Sequence, residues 1–371
     1  MADFTKTGIK KEISDVLTKL GFNDSLDVQE AIIPLALSGK NIVFTSRTGS
    51  GKTLAYLLGY LQKINRKQGL QMLVIVPTRE LCVQAGKEMQ KVCDYFDLKV
   101  GMLYGGREIA GDSRTTSRKN QIIIGTPGRL IQHINEKRVR VGEVKYLVFD
   151  ESDQIFDDGF FDECCYVKSR VSKTAQIILS SATITNKVER FIEEEMGEYE
   201  LRSIGEQIPS GIVQEKILCA IPDKNELLLK FFKSKHFKRA IIFCNTKVRT
   251  NSISEFLAAN KIAAKPINGD LRQDERTNNL NLFRQGRLRV LVATDVAARG
   301  LHIENVDIVV NYDSPRQEEF YIHRIGRTGR NDKKGYSLTL LCPEDEKRFE
   351  QIEKLYHLKT VLIDEKFNKV E

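Results

Sequence analysis

The sequence predicts an α/β fold repeated twice in tandem, each copy a mostly parallel sheet covered by helices on both faces. Three observations carry that reading. At 371 residues the chain exceeds what one hydrophobic core ordinarily serves, so two domains are expected. Short β-branched apolar runs alternate with amphipathic stretches, the order of strand–helix–strand crossovers. The alternation then starts afresh after "GEQIPSG" (205–211), which holds three chain breakers in seven residues. The domains are read as 1–204 and 212–371, with 205–211 as the linker.

In chain order, the first domain's strands are "NIVFTS" (41–46), "QMLVIVP" (71–77), "LKVGML" (98–103), "QIIIGT" (121–126), "YLVFD" (146–150) and "QIILSS" (176–181). Between the first two, Leu54, Leu57, Leu58, Leu61 and Ile64 recur at helical spacing. Leu81, Ala85, Val92 and Phe96 do so between the next two. The second domain's strands are "RAIIFCN" (239–245), "IAAKPIN" (262–268), "RVLVATD" (289–295), "VDIVVNYD" (306–313) and "YSLTLL" (336–341). Nearly every strand runs into polar, glycine-rich or charged residues. In a parallel sheet all carboxyl ends share one edge, and open α/β sheets bind ligands there.

Composition narrows the function. Hydrophobic residues at 41% and charged residues at 29% describe a globular chain rather than a disordered one. Lys+Arg 58 against Asp+Glu 50 gives a net charge of +8, a modest pointer to a polyanionic partner. No apolar run approaches the roughly 18 residues of a membrane span, and the N-terminus lacks a signal-peptide core, so no membrane partner is expected. Seven cysteines in no C-x-x-C pair, with five scattered histidines, fit neither a disulfide framework nor a zinc site. They read as reduced thiols of a cytoplasmic protein, with a nuclear one also open.

"SRTGSGKT", Ser46–Thr53, follows an apolar strand and opens the leucine-rich helix. Glycines let backbone wrap a phosphate closely, and a helix N-terminus aims free N–H groups at it. Ser46, Thr48, Gly49, Ser50 and Gly51 would form that cradle. Lys52 would reach the outer phosphates, and the Thr53 hydroxyl would ligate Mg²⁺. "YLVFDESD" supplies the second strand end such a site needs. Asp150 would hold Mg²⁺ and Glu151 would orient and deprotonate the attacking water. GTP is disfavoured, because the nearest guanine-reading pattern, "NKVE" at Asn186, ends in Glu and lies in a predicted helix.

Taken together, "GFNDSLDVQ", "SRTGSGKT", "PTRELCVQ", "GG", "TPGR", "DESD", "SAT", "IIFCNT", "ATDVAARGLHI" and "HRIGRTGR" make the chain resemble the DEAD-box family of ATP-dependent RNA helicases over nearly its whole length. The resemblance implies two tandem RecA-like domains, ATP and Mg²⁺ as cofactors, and local unwinding of short RNA duplexes. An ATP-gated RNA clamp would carry the same motifs. By the same resemblance Gln29 would read the adenine edge and Phe22 would pack on the base, with Phe4 as the upstream aromatic. Gly300 and His302 would lie against the nucleotide. Ser181 and Thr183 would connect the ATP state to the interdomain contact, and His323 would touch the first domain near Asp153. Arg327 and Arg330 would act as arginine fingers. RNA backbone would be held by Thr78, Arg79, Gly106, Thr126 and Arg129 on one domain, and by Asn245, Thr246, Gly269, Arg276 and Thr294 on the other.

The physics of two motifs agrees. "HRIGRTGR" places three arginines at three-residue spacing, nearly one face of a helix. "PTREL" and "TPGR" each join a hydroxyl, an arginine and a rigid turn at a strand end, suited to phosphate contacts that read no sequence. The chain departs from the family at Ser152, Ser46, Ser25 and Asp27, and at His302, where the family has a ribose-contacting aspartate. A monomer working with protein adaptors is expected, because no extra RNA-binding segment is visible.

Overall fold

The computed structural model describes residues 4–46, 49–106, 108–116, 119–204, 211–298, 303, 306–329 and 334–370, apart from the side chains of 110, 114, 273, 296 and 319. Thr48, Gly300, His302, Arg330 and all but the last residue of the expected linker lie outside the described residues. The chain divides into two compact units, Met1–Gln207 and Ile208–Glu371.

The first unit holds β1 (Asn41–Ser46), β2 (Met72–Ile75), β3 (Val100–Leu103), β4 (Ile122–Gly125), β5 (Tyr146–Phe149), β6 (Gln176–Ser181) and β7 (Tyr199–Ile204). The second holds β8 (Ile212–Leu218), β9 (Ala240–Phe243), β10 (Ala264–Ile267), β11 (Val290–Ala293), β12 (Ile308–Asn311), β13 (Gly335–Leu341) and β14 (Val361–Leu362). The sheet orders are β3-β4-β2-β5-β6-β1-β7 and β10-β11-β9-β12-β13-β8-β14. Every strand pair within them is parallel.

The strands read as unbroken apolar runs because both faces of each sheet are covered. Successive residues feed opposite cores. Ile42, Phe44, Met72 and Val74 pack on one side of the first sheet, and Val43, Leu73 and Ile75 on the other. In the second sheet Ala240, Ile242, Val290 and Val292 oppose Ile241, Phe243, Leu291 and Ala293. Burying one such side chain is worth about 1.5–3 kcal/mol. Three strands were not legible in the sequence: β7, β8 and β14. Strand β7 lies at a sheet edge with Tyr199 and Leu201 exposed, so "YELRSI" carries charges rather than an apolar run.

All seven cysteines are free thiols. Burial pushes Cys93 up to about 12 and Cys165 and Cys219 up to about 11, so these stay protonated and unreactive near neutral pH. Among the described residues no helix is long and apolar enough to cross a membrane.

Candidate active site

In the first unit the sheet order separates two groups of strand ends. Strands β5, β6 and β1 lie side by side, so the loops after Phe149, Ser181 and Ser46 are neighbours along the carboxyl edge. The phosphate loop and "DESD" are therefore separated by one strand, β6, whose own end is "SAT".

The loop after β1 closes on itself through Ser46 Oγ and Ser50 Oγ, 2.8 Å apart. It enters the helix Lys52–Leu61 through Gly51 at φ 91°. Only glycine fits there. A Cβ on Gly51 would stand 2.7 Å from Gln29 Nε2. Gln29 comes this close because its helix, Asp27–Ser38, packs onto the phosphate-loop helix at Gly59, where an added Cβ would lie 2.3 Å from that of Ala36. The Gln29 side chain accepts from Leu26 N–H at 2.9 Å and donates to the Gly51 carbonyl at 3.4 Å. One N–H and one lone pair remain for another partner. Phe22 is exposed, as a base-stacking residue must be, whereas Phe4 is buried in the core and presents no face to a ligand.

Lys52 is buried, and its ammonium reaches one acceptor, the Ser46 carbonyl at 3.4 Å, forming no ion pair among the described residues. A buried cation so poorly partnered lacks an anion. Glu151 presents the complementary deficiency. It is buried, Oε2 has no hydrogen-bond partner among the described residues, and its backbone is left-handed at φ 56°, ψ 50°. Such a conformation costs a non-glycine residue about 1–3 kcal/mol and concentrates at functional sites.

Asp150 differs sharply from its neighbour. Its Oδ1 accepts from Ser180 Oγ at 2.9 Å and its Oδ2 from Tyr56 Oη at 3.0 Å. With the Thr53 hydroxyl it offers hard oxygen donors that fit Mg²⁺. No group of three or more His, Cys, Asp or Glu side chains that could hold a metal ion occurs among the described residues.

Asp153 knots the "DESD" end to the "SAT" end. Its Oδ2 accepts from Ala182 N–H, Thr183 N–H and Thr183 Oγ1 at 3.1, 3.0 and 3.1 Å. Ser181 Oγ takes the Asp153 N–H at 3.3 Å and donates to the Thr183 carbonyl at 2.7 Å. Ser152, the small substitute noted in the sequence, donates to the Ser180 carbonyl at 3.1 Å. A shift at either strand end is thus felt by the other.

The residues read as RNA contacts fall on the other half of the sheet. The ends of β3, β4 and β2 are adjacent, which gathers Gly106, Thr126, Thr78 and Arg79. Thr78 caps its helix through Leu81 N–H at 3.3 Å. Arg79 lies over the Tyr104 ring, 5.0 Å from its centroid, and its guanidinium borders Gly106. Arg129 departs from expectation. It is buried, with Nε on Asp112 Oδ2 at 2.7 Å and Nη1 on Gln132 at 3.2 Å, and the same carboxylate oxygen meets buried His133 Nε2 at 2.8 Å.

The second unit repeats the plan. The ends of β10, β11 and β9 are adjacent and gather Gly269, Thr294, Asn245 and Thr246. Arg276 donates to the Ala297 carbonyl at 3.0 Å. The single helix face expected for "HRIGRTGR" is not formed. The helix Glu318–Ile325 stops at Gly326, so Arg324 is helical and Arg327 follows the cap. Arg324 is a fully buried hub: it grips both oxygens of Asp295 at 2.6 and 2.7 Å and also reaches Asn245 Oδ1 and the Asp313 carbonyl at 3.1 and 2.7 Å. It ties together the ends of β11, β9 and β12. Its burial is hinted at only by "FYIHRI", which sets its charge among apolar residues. Arg327 is also buried, and His323 is half-buried on the preceding helix.

Comparison with known proteins agrees with this geometry. The DEAD/DEAH box helicase family model matches residues 26–191, and the Helicase conserved C-terminal domain matches 223–332. The chain is 36% identical over 348 residues to the ATP-dependent RNA helicase CshA of Listeria monocytogenes, covering 93% of this chain and 67% of that protein. It is 35% identical over 373 residues to the Geobacillus kaustophilus DEAD-box ATP-dependent RNA helicase CshA, covering 98% and 80%. Among solved structures, S. cerevisiae Dbp5 bound to RNA and ADP BeF3 is similar with a TM-score of 0.87 and 27% identity, over 98% of this chain and 96% of that one. The two parallel seven-stranded sheets are accordingly RecA-like domains, and the chain belongs to the DEAD-box ATP-dependent RNA helicases.

Proposed function

We propose that ATP is split at the carboxyl edge of the first sheet with groups contributed by both units. The observation that carries this reading is a pair of unmet needs at strand ends one strand apart: among the described residues, a buried ammonium without an anion at Lys52 and a buried carboxylate oxygen without a donor at Glu151. A triphosphate satisfies the first and an attacking water the second. Gln29 and Phe22 hold adenine. Thr53 and Asp150 hold Mg²⁺, which when bound neutralises charge on the phosphates. Glu151 takes the proton from water, and Arg327 and Arg330 neutralise charge on the transferring phosphoryl. Thr48, Gly300 and His302 complete the nucleotide site in this reading. Ser181, Thr183 and Asp153, with His323 of the second unit, carry the nucleotide state to the RNA side.

RNA is gripped through its backbone by Thr78, Arg79, Gly106 and Thr126, and by Thr246, Gly269, Arg276 and Thr294. Arg129 and Asn245 act from behind, since hydrogen bonds within the protein hold their side chains. Such contacts give salt-sensitive affinity with little sequence preference, and 2′-hydroxyls favour RNA over DNA. In this reading the chain works in the cytoplasm as a monomer targeted by protein adaptors, and its excess of positive charge suits the RNA backbone.

Lys52→Ala tests the site directly. Removing the phosphate-facing charge should lower kcat/KM for RNA-stimulated ATP hydrolysis on the order of 10²-fold or more. Turnover within threefold of the parent chain would refute the assignment.

A further inference from the structure

Asp150 is held more firmly than a simple metal ligand requires. Each carboxylate oxygen accepts one hydroxyl: Ser180 Oγ from β6 on Oδ1 at 2.9 Å, and Tyr56 Oη from the phosphate-loop helix on Oδ2 at 3.0 Å. Both hydroxyl donors are completely buried. The Tyr56 hydroxyl comes from the same helix as Thr53, one turn on, so that helix carries both a group assigned to Mg²⁺ and a tether of the other.

A buried phenol needs an acceptor somewhere, and packing alone would place Tyr56 here. Its neighbour Tyr60 shows that alternative: its ring stacks on Tyr146 with centroids 4.2 Å apart, and burial alone raises its pKa to about 12. Tyr56 instead spends its hydroxyl on the strand-end carboxylate. With both oxygens tethered, the carboxylate cannot rotate about its Cβ–Cγ bond. Each oxygen still keeps a second lone pair that an ion or its bound water can use.

We propose that Tyr56 is a positioning residue for Mg²⁺, holding the Asp150 carboxylate in one orientation before the ion and nucleotide arrive. This rests on the assignment of Thr53 and Asp150 to the metal. Two effects of removing the hydroxyl oppose each other. Loss of a donor concentrates charge on Asp150, which attracts a cation. Loss of the tether frees the carboxylate, and losing an orienting partner of this kind ordinarily costs 10–100-fold in metal affinity. Ser180 alone fixes one oxygen but leaves the carboxylate free to swing, so the second effect dominates.

The test uses the full chain with ADP and follows Mn²⁺ binding by the loss of its free-ion electron paramagnetic resonance signal. Tyr56→Phe should weaken Mn²⁺ binding to the ADP complex about tenfold. Affinity for ADP in excess chelator should stay within about twofold, because the ring and the phosphate loop are untouched. Ser180→Ala should weaken Mn²⁺ binding comparably. Unchanged or tighter Mn²⁺ binding in Tyr56→Phe would overturn the proposal, as would an equal fall in chelator, which would assign Tyr56 to the loop's packing. Asp150→Asn separates the two levels: if it keeps parental Mn²⁺ affinity, the metal assignment itself fails; if it abolishes binding while Tyr56→Phe changes nothing, only the role of Tyr56 fails.

Discussion

Replacing Glu151 with glutamine should lower RNA-stimulated ATP turnover about 10²–10⁴-fold while ATP and RNA still bind. The amide keeps the size of the side chain and one acceptor oxygen, so it can still touch water, but it cannot accept a proton near neutral pH. The environment makes the loss severe. Glu151 is buried, Oε2 has no partner among the described residues, and no other carboxylate is free to substitute: Asp150 is tethered by two hydroxyls and Asp153 is consumed by the "SAT" backbone. Single-turnover hydrolysis of bound ATP would show the slow step directly. A rate within threefold of the parent would remove Glu151 from the chemistry. Stability should hardly suffer, because the oxygen replaced already lacks a hydrogen bond among the described residues and the left-handed backbone is unchanged.

Arg327→Ala should lower kcat about 10³-fold with ATP affinity little changed, the signature of a group that acts only on the transferring phosphoryl. Arg327 follows the cap at Gly326 and is buried beside the Arg324 hub, so part of any loss could reflect disturbed packing. Arg327→Lys separates the causes. It keeps the charge and most of the volume but not the planar fork, and should recover only a minor part of the rate. Full recovery in the lysine variant would reduce the role to bulk charge. Arg324 offers a contrast. Its guanidinium is already shared among Asp295, Asn245 and Asp313, so its loss should damage RNA binding and folding together rather than chemistry alone.

What the sequence made legible follows from how each residue earns its place. The proposed phosphate loop could be read because steric need and chemistry coincide there: Gly51 is required by the approach of Gln29, and the buried Lys52 ammonium suits an anion. Strands with both faces buried, such as β2 and β9, announce themselves as apolar runs, whereas edge strand β7 pairs on one side only and looks like a charged loop. Strand order was not legible, yet it sets the residues proposed for nucleotide on the β5-β6-β1 half and those proposed for RNA on the β3-β4-β2 half. Buried polar partners were also invisible. Tyr56 and Ser180 resemble ordinary core residues in a linear reading, and nothing in "TPGR" foretells that Arg129 turns inward to Asp112 and His133. The "HRIGRTGR" arginines were read by spacing, but a glycine cap breaks the helix between the first and second.

The expected behaviour is that neither RecA-like unit completes ATP hydrolysis by itself. Its most direct measurement is RNA-stimulated ATP turnover by residues 1–207 alone, set beside the full chain, with binding of a fluorescent ATP analogue confirming that the fragment is folded. The fragment should bind nucleotide yet turn over about 10²-fold or more slowly, because the groups carried by residues 208–371 are missing. Turnover by residues 1–207 matching the full chain would contradict it.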